Sequence, residues 1–138
     1  MPYIRLYSPE LRLEVKRELA RSLTKCVMQA LQLPAEAQHW VTIQFVPYSL
    51  EDMAIGGSLL VDTLDPEYQM EVHERNLTPV KKEALVTGLT AAFAEVMELQ
   101  SEQAFKIHIL LQEYSSGDFA IGGRFLSELD KSQHTEKV

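Results

Sequence analysis

Pro2 is the residue with the most unusual chemistry to offer. It follows Met1 directly. Removing Met1 would convert its nitrogen from an amide into a secondary amine. Such an amine, desolvated in a pocket and close to arginine cations, holds its proton less tightly. It can then accept a proton from carbon or from an enol. With Met1 attached the nitrogen has no basicity. Other reactive residue types are sparse. The single cysteine, Cys26, falls in a helical pattern and reads as a small buried hydrophobe. His39, His73 and His134 lack metal-ligand spacing and clustered acid or cysteine partners, so neither a metal site nor a cofactor is expected. The pairs Gly56-Gly57 and Gly122-Gly123 do not lead from a strand into a helix with a lysine, which excludes a phosphate loop.

What positions Pro2 is an internal repeat. Ser49-Leu50-Glu51-Asp52-Met53-Ala54-Ile55-Gly56-Gly57 echoes Ser115-Ser116-Gly117-Asp118-Phe119-Ala120-Ile121-Gly122-Gly123 at an offset of 66. The same offset, without gaps, brings Leu19 onto Leu85, Leu23 onto Leu89, Ile43 onto Ile109 and Tyr48 onto Tyr114. Matched leucines at helical spacing on one register make this a duplication rather than a chance motif. The repeats span 2–62 and 68–128, forming one domain over 1–138, with a polar tail at 129–138.

Each repeat reads as strand, helix, strand. Residues 2–7 and 68–73 are short candidate strands. In the first helix Val15, Leu19, Leu23, Cys26, Val27 and Ala30 recur at the spacing of one buried face, and in the second Leu85, Leu89, Ala92, Phe93 and Val96 do. Thr78-Pro79 is a start signal for the second helix, combining a hydroxyl cap with a proline at the first helical position. The alternating runs Val41–Phe45 and Ile107–Leu111 are the second strands. A strand, a crossover helix and a strand imply parallel pairing within each unit. The expected fold class is α/β (α+β), with two tandem β-α-β units giving a four-stranded sheet and both helices on one face. Gln44, His108 and Leu110 alternate toward the other face, which is left bare and mixed in polarity, so oligomerisation is expected.

Composition excludes several classes of function. The 138 residues are 46% apolar, enough for a core without staples. The net charge of -7, with no basic cluster, argues against nucleic acid or an anionic membrane as partner. No apolar run has membrane-spanning length and no signal peptide is evident, so a cytoplasmic protein is expected.

The Met-Pro start, the repeated unit of about sixty residues and the segments Met53-Ala54-Ile55-Gly56-Gly57 and Phe119-Ala120-Ile121-Gly122-Gly123-Arg124-Phe125-Leu126 resemble the tautomerase superfamily. One unit looks like the oxalocrotonate tautomerase subunit. Two in one chain are similar to the fused members, malonate semialdehyde decarboxylase and cis-3-chloroacrylic acid dehalogenase. The resemblance covers residues 2 to about 128. It implies a homotrimer in a barrel-like assembly of β-α-β units, with Pro2 as general base after Met1 removal and a pocket walled largely by the second repeat. Tyr68 stands where that repeat would carry its own proline, so one working pocket per chain is expected.

Residue by residue, the resemblance places the first of two carboxylate-binding arginines on Arg75 and the second on Thr78, or on Leu77 if the loop differs by one. The tautomerase arginine of the second strand falls on His108 and the pocket phenylalanine on Phe119. Arg12 matches the helix-start arginine of the first half but is expected to face the disabled pocket near Tyr68. Arg124 is expected at an interface or in solvent. The dehalogenases' water-activating glutamate falls on Ile121 and the decarboxylase's aspartate near Ala37 or Gln38, so neither acid is kept. What remains suits keto–enol tautomerisation of a small 2-oxo or 2-hydroxy-enoic monocarboxylate such as an arylenolpyruvate. A catalytically silent trimeric scaffold, or a small-ligand-binding protein with the same fold, is the alternative.

Overall fold

The structure, a computed structural model, describes residues 1–130. In chain order the elements are β1 (Tyr3–Ser8), α1 (Leu13–Ala30), β2 (Thr42–Pro47), β3 (Ala54–Ile55), β4 (Ser58–Leu59), α2 (Leu60–Thr63), β5 (Tyr68–Glu74), α3 (Pro79–Val96), β6 (Ile107–Glu113), β7 (Ala120–Ile121) and β8 (Arg124–Phe125). The two long helices are offset by 66 residues at both ends, as are the short hairpins β3–β4 and β7–β8. Short 3₁₀ segments, Ala35–Trp40 and Ser101–Lys106, lead into β2 and β6 at the same offset. Residues 131–138 of the expected tail lie outside the described residues. Leu129 and Asp130, assigned by the sequence to that tail, belong instead to a helical turn over 126–130.

One sheet of order β2-β1-β5-β6 carries the fold. β1 pairs parallel with β2 and β5 parallel with β6, as crossover helices require. The two units meet through an antiparallel β1–β5 seam, in which Tyr3 stands opposite His73 and Leu6 opposite Met70. Tyr3 pairs with Thr42 and Gln69 with His108, so the strand registers of the two halves coincide under the repeat offset.

Alternation then decides what is buried. Ile4 and Leu6 of β1 and Met70 and Val72 of β5 face the helices and are fully buried. They meet Leu19, Leu23 and Val27 of α1 and Leu85, Leu89 and Phe93 of α3. Thr78 caps α3, its hydroxyl accepting the Lys81 N–H at 3.2 Å, with Pro79 at the first helical position. On the other face Gln44, His108 and Leu110 are exposed, and Tyr3 donates to Gln44. That face is mixed in polarity, as the alternation predicts. No helix among the described residues is long and apolar enough to cross a membrane.

The helices approach closely at Gly88, where an added Cβ would sit 2.6 Å from the Cys26 sulfur. Burial pushes the Cys26 thiol pKa up, consistent with a packing role rather than a nucleophilic one. Gly88→Ala should therefore lower the thermal midpoint. The clash costs about 1–3 kcal/mol, against a helix-propensity gain of about 1 kcal/mol. Combining it with Cys26→Ala should restore the midpoint; no loss in the single variant would show that the helices yield freely.

Candidate active site

The antiparallel seam brings the start of β1 to the end of β5. Pro2 is buried there, and its carbonyl accepts the Thr42 N–H at 3.1 Å. Two clefts open from it. The larger, about 760 Å³, is lined by Pro2, Glu74, Arg75, Lys81, Arg124 and Asp130 among others. The smaller, about 200 Å³, takes in Pro2, Tyr3, His39, Thr42 and Phe119. Trp40 and Ile121 border both. Much of the wall thus comes from the second repeat.

The N-terminal main chain is held at two points. The Met1 amine lies 3.1 Å from Glu74 Oε1, and the Tyr114 hydroxyl donates to the Met1 carbonyl at 2.7 Å. Glu74 is 5% exposed, and the same oxygen accepts the Arg75 backbone N–H at 2.9 Å. Tyr114 stacks on Phe119 with ring centroids 5.3 Å apart. Burial first, then the Glu74 charge, pushes its pKa up to about 12, so it remains an O–H donor across the physiological range.

Arg75 is already holding a carboxylate. Its guanidinium donates to Asp130 at 2.6 and 3.4 Å and to Ser116 at 2.7 Å. The hydrogen bond to Asp130 is the main cause of its raised pKa.

Of the sequence-predicted residues, Pro2, Arg75 and Phe119 converge on the clefts, Arg75 in the larger and Phe119 in the smaller. Thr78 does not join them. It is exposed, lines neither cleft and serves as the α3 cap, while Lys81 one turn on reaches the larger cleft. Arg12 is 78% exposed in its side chain and pairs with Glu14 at 3.3 Å. It lines none of the clefts, including the one near Tyr68 that the sequence assigned to it. His108 belongs to that cleft, about 360 Å³, with Tyr7, Tyr48, Met53, Glu67 and Tyr68. Its Nδ1 is 3.5 Å from Glu67. The reason is the repeat itself: His108 is the counterpart of Thr42, and Thr42 borders Pro2. Arg124, expected in solvent or at an interface, borders the larger cleft.

Sequence reasoning missed Glu74 and Tyr114. The available signal was a charged residue at the core-facing parity of β5, after Tyr68, Met70 and Val72. Arg75 and Arg124 line the larger cleft with Pro2, while the side chain in contact with the Met1 amine is the Glu74 carboxylate and the Arg75 charge is offset by Asp130.

No family model and no curated protein matches the sequence. Solved structures do match the fold. Native fused 4-OT aligns with a TM-score of 0.82 and 19% identity, covering 93% of this chain and 98% of that one. A fused 4-OT solved as an asymmetric trimer aligns at 0.77 and 23% identity, covering 93% and 98%. Pt0534 inactivated by 2-oxo-3-pentynoate aligns at 0.78 and 16% identity, covering 92% and 98%. The chain has the fold of the tautomerase superfamily in its fused form. Within that fold, the repeats are equivalent in backbone yet carry different residues at their starts, Pro2 in the first and Tyr68 in the second.

A direct expectation concerns the Arg75–Asp130 pair. Asp130→Asn should free the guanidinium for a small monocarboxylate such as benzoate. Quenching of Trp40, the only tryptophan, should then half-saturate at about three- to five-fold lower benzoate, the scale of a partly exposed ion pair. Unchanged or weaker binding would show that Arg75 is not a carboxylate site.

Proposed function

We propose that this chain is a cofactor-independent keto–enol tautomerase, acting as a homotrimer on a small 2-oxo or 2-hydroxy-enoic monocarboxylate. The observation that carries the proposal is Pro2 lying buried where two clefts meet, with an arginine that already grips a carboxylate in one and an aromatic wall in the other. Once Met1 is removed, the Pro2 amine takes the proton of the enol hydroxyl and delivers it to the adjacent carbon. Arg75 pairs with the substrate carboxylate in place of Asp130. Phe119 and Ile121 keep water from the carbanionic carbon, which favours return of the proton from the amine. The bare sheet face, and the trimer named for a fused 4-OT of the same fold, support the three-fold assembly.

The silent-scaffold reading draws on one observation: with Met1 attached, its amine is paired to buried Glu74 and Pro2 offers an amide. Ketonisation of phenylenolpyruvate separates the two. Protein beginning at Pro2 should turn it over, and protein retaining Met1 should not; inactivity of both forms would leave the scaffold. Pro2→Ala should lower activity by roughly 10²–10⁴. Arg75→Ala removes about 1.5–3 kcal/mol of charge-assisted binding and should act mostly on KM. Arg12→Ala should change neither parameter; a loss there with Arg75→Ala intact would move the site to the other half.

A further inference from the structure

We propose that Glu74 pairs with the freed Pro2 ammonium and sets the basicity of the amine, a positioning residue acting through Pro2. The inference rests on the tautomerase reading for its kinetic consequence but not for its geometry. Glu74 Oε1 lies 3.1 Å from the Met1 nitrogen, and its side chain is 7% exposed. Three covalent bonds separate the Met1 and Pro2 nitrogens, which puts the carboxylate within roughly 7 Å of the new amine. Among the described residues, the Met1 amine is the one cation paired with Glu74. Removing Met1 therefore takes from a buried carboxylate the cation in contact with it, leaving only the more distant charge of Arg75, and the nearby ammonium is the natural replacement.

The repeat supplies an internal comparison. Tyr114 holds the Met1 carbonyl and Tyr48, its counterpart, holds the Glu67 carbonyl, so the fold guides the chain past both points in the same way. At the position equivalent to Glu74 the first repeat has Ser8, buried and bonded to the Pro9 carbonyl. The carboxylate thus occurs only in the half that faces Met1 and Pro2. The other charges lining the larger cleft are Arg75, offset by Asp130, together with Lys81 and Arg124. Glu113, paired with Glu74 across β5 and β6, Tyr114 just after β6, Tyr3 of β1 and His39 of the segment before β2 are the titratable neighbours. An opposite charge beside the amine favours its protonated form.

The test titrates the Pro2 nitrogen by ¹⁵N NMR in proline-labelled protein beginning at Pro2, alongside the pH dependence of kcat/KM. Glu74→Gln should lower the amine pKa by about one unit and move the low-pH limb of kcat/KM down equally. Glu74→Ser, which copies the residue of the other half, should do the same if the glutamine variant folds poorly. An amine pKa unchanged in a folded variant overturns the proposal. If the parent protein does not ketonise phenylenolpyruvate, the tautomerase reading fails, while the NMR titration still decides the role of Glu74.

Discussion

The antiparallel pairing of β1 with β5 is the constraint on which the site depends. Two parallel β-α-β units could exist apart, but each would leave a strand edge open and a helix half covered. Joining them edge to edge pairs the inner edges of β1 and β5 and merges the apolar faces of α1 and α3 over one sheet. The seam also fixes directions: where β1 begins, β5 ends. The Met1 amine is thereby set beside Glu74, the last residue of β5, in a cleft shared with Arg75, the residue that follows it.

The two halves do not present the same residues at equivalent points. Tyr68 occupies the position of Pro2. Its cleft holds His108 and Glu67 where the other holds Thr42 and Met1. The two halves share register and hairpins and differ, among many other positions, in the side chains beside Pro2 and Tyr68. Buried charge follows the same asymmetry, with glutamate at 74 against serine at 8.

The fold was legible because its signals are periodic. Leucines at helical spacing, strands alternating by two and one unbroken offset determine elements, register and topology together. That Arg75 and Phe119 would border the clefts beside Pro2 was legible through the matched turn and the resemblance it carries. Glu74 and Tyr114 were not, because their importance comes from adjacency across the β1–β5 seam and to a terminus, which no spacing along the chain encodes. Thr78 and Arg12 lie off the clefts for a related reason. Their positions at helix starts were correctly assigned, but a helix start can turn a side chain toward its own backbone or toward solvent as readily as into a cleft. His108 borders the Tyr68 cleft because it is the strand counterpart of Thr42, which borders Pro2.

The central claim is that the Pro2 nitrogen becomes a reactive amine inside this cleft. The most direct measurement is covalent labelling with an acetylenic 2-oxo acid, followed by peptide mapping by mass spectrometry. An unprotonated amine adds across the activated alkyne to form a carbon–nitrogen bond. Protein beginning at Pro2 should acquire one adduct per chain, located on Pro2, and protein retaining Met1 should acquire none at that residue. Labelling that ignores Pro2 and falls on Lys81 or Cys26, or no labelling at all, would contradict the account.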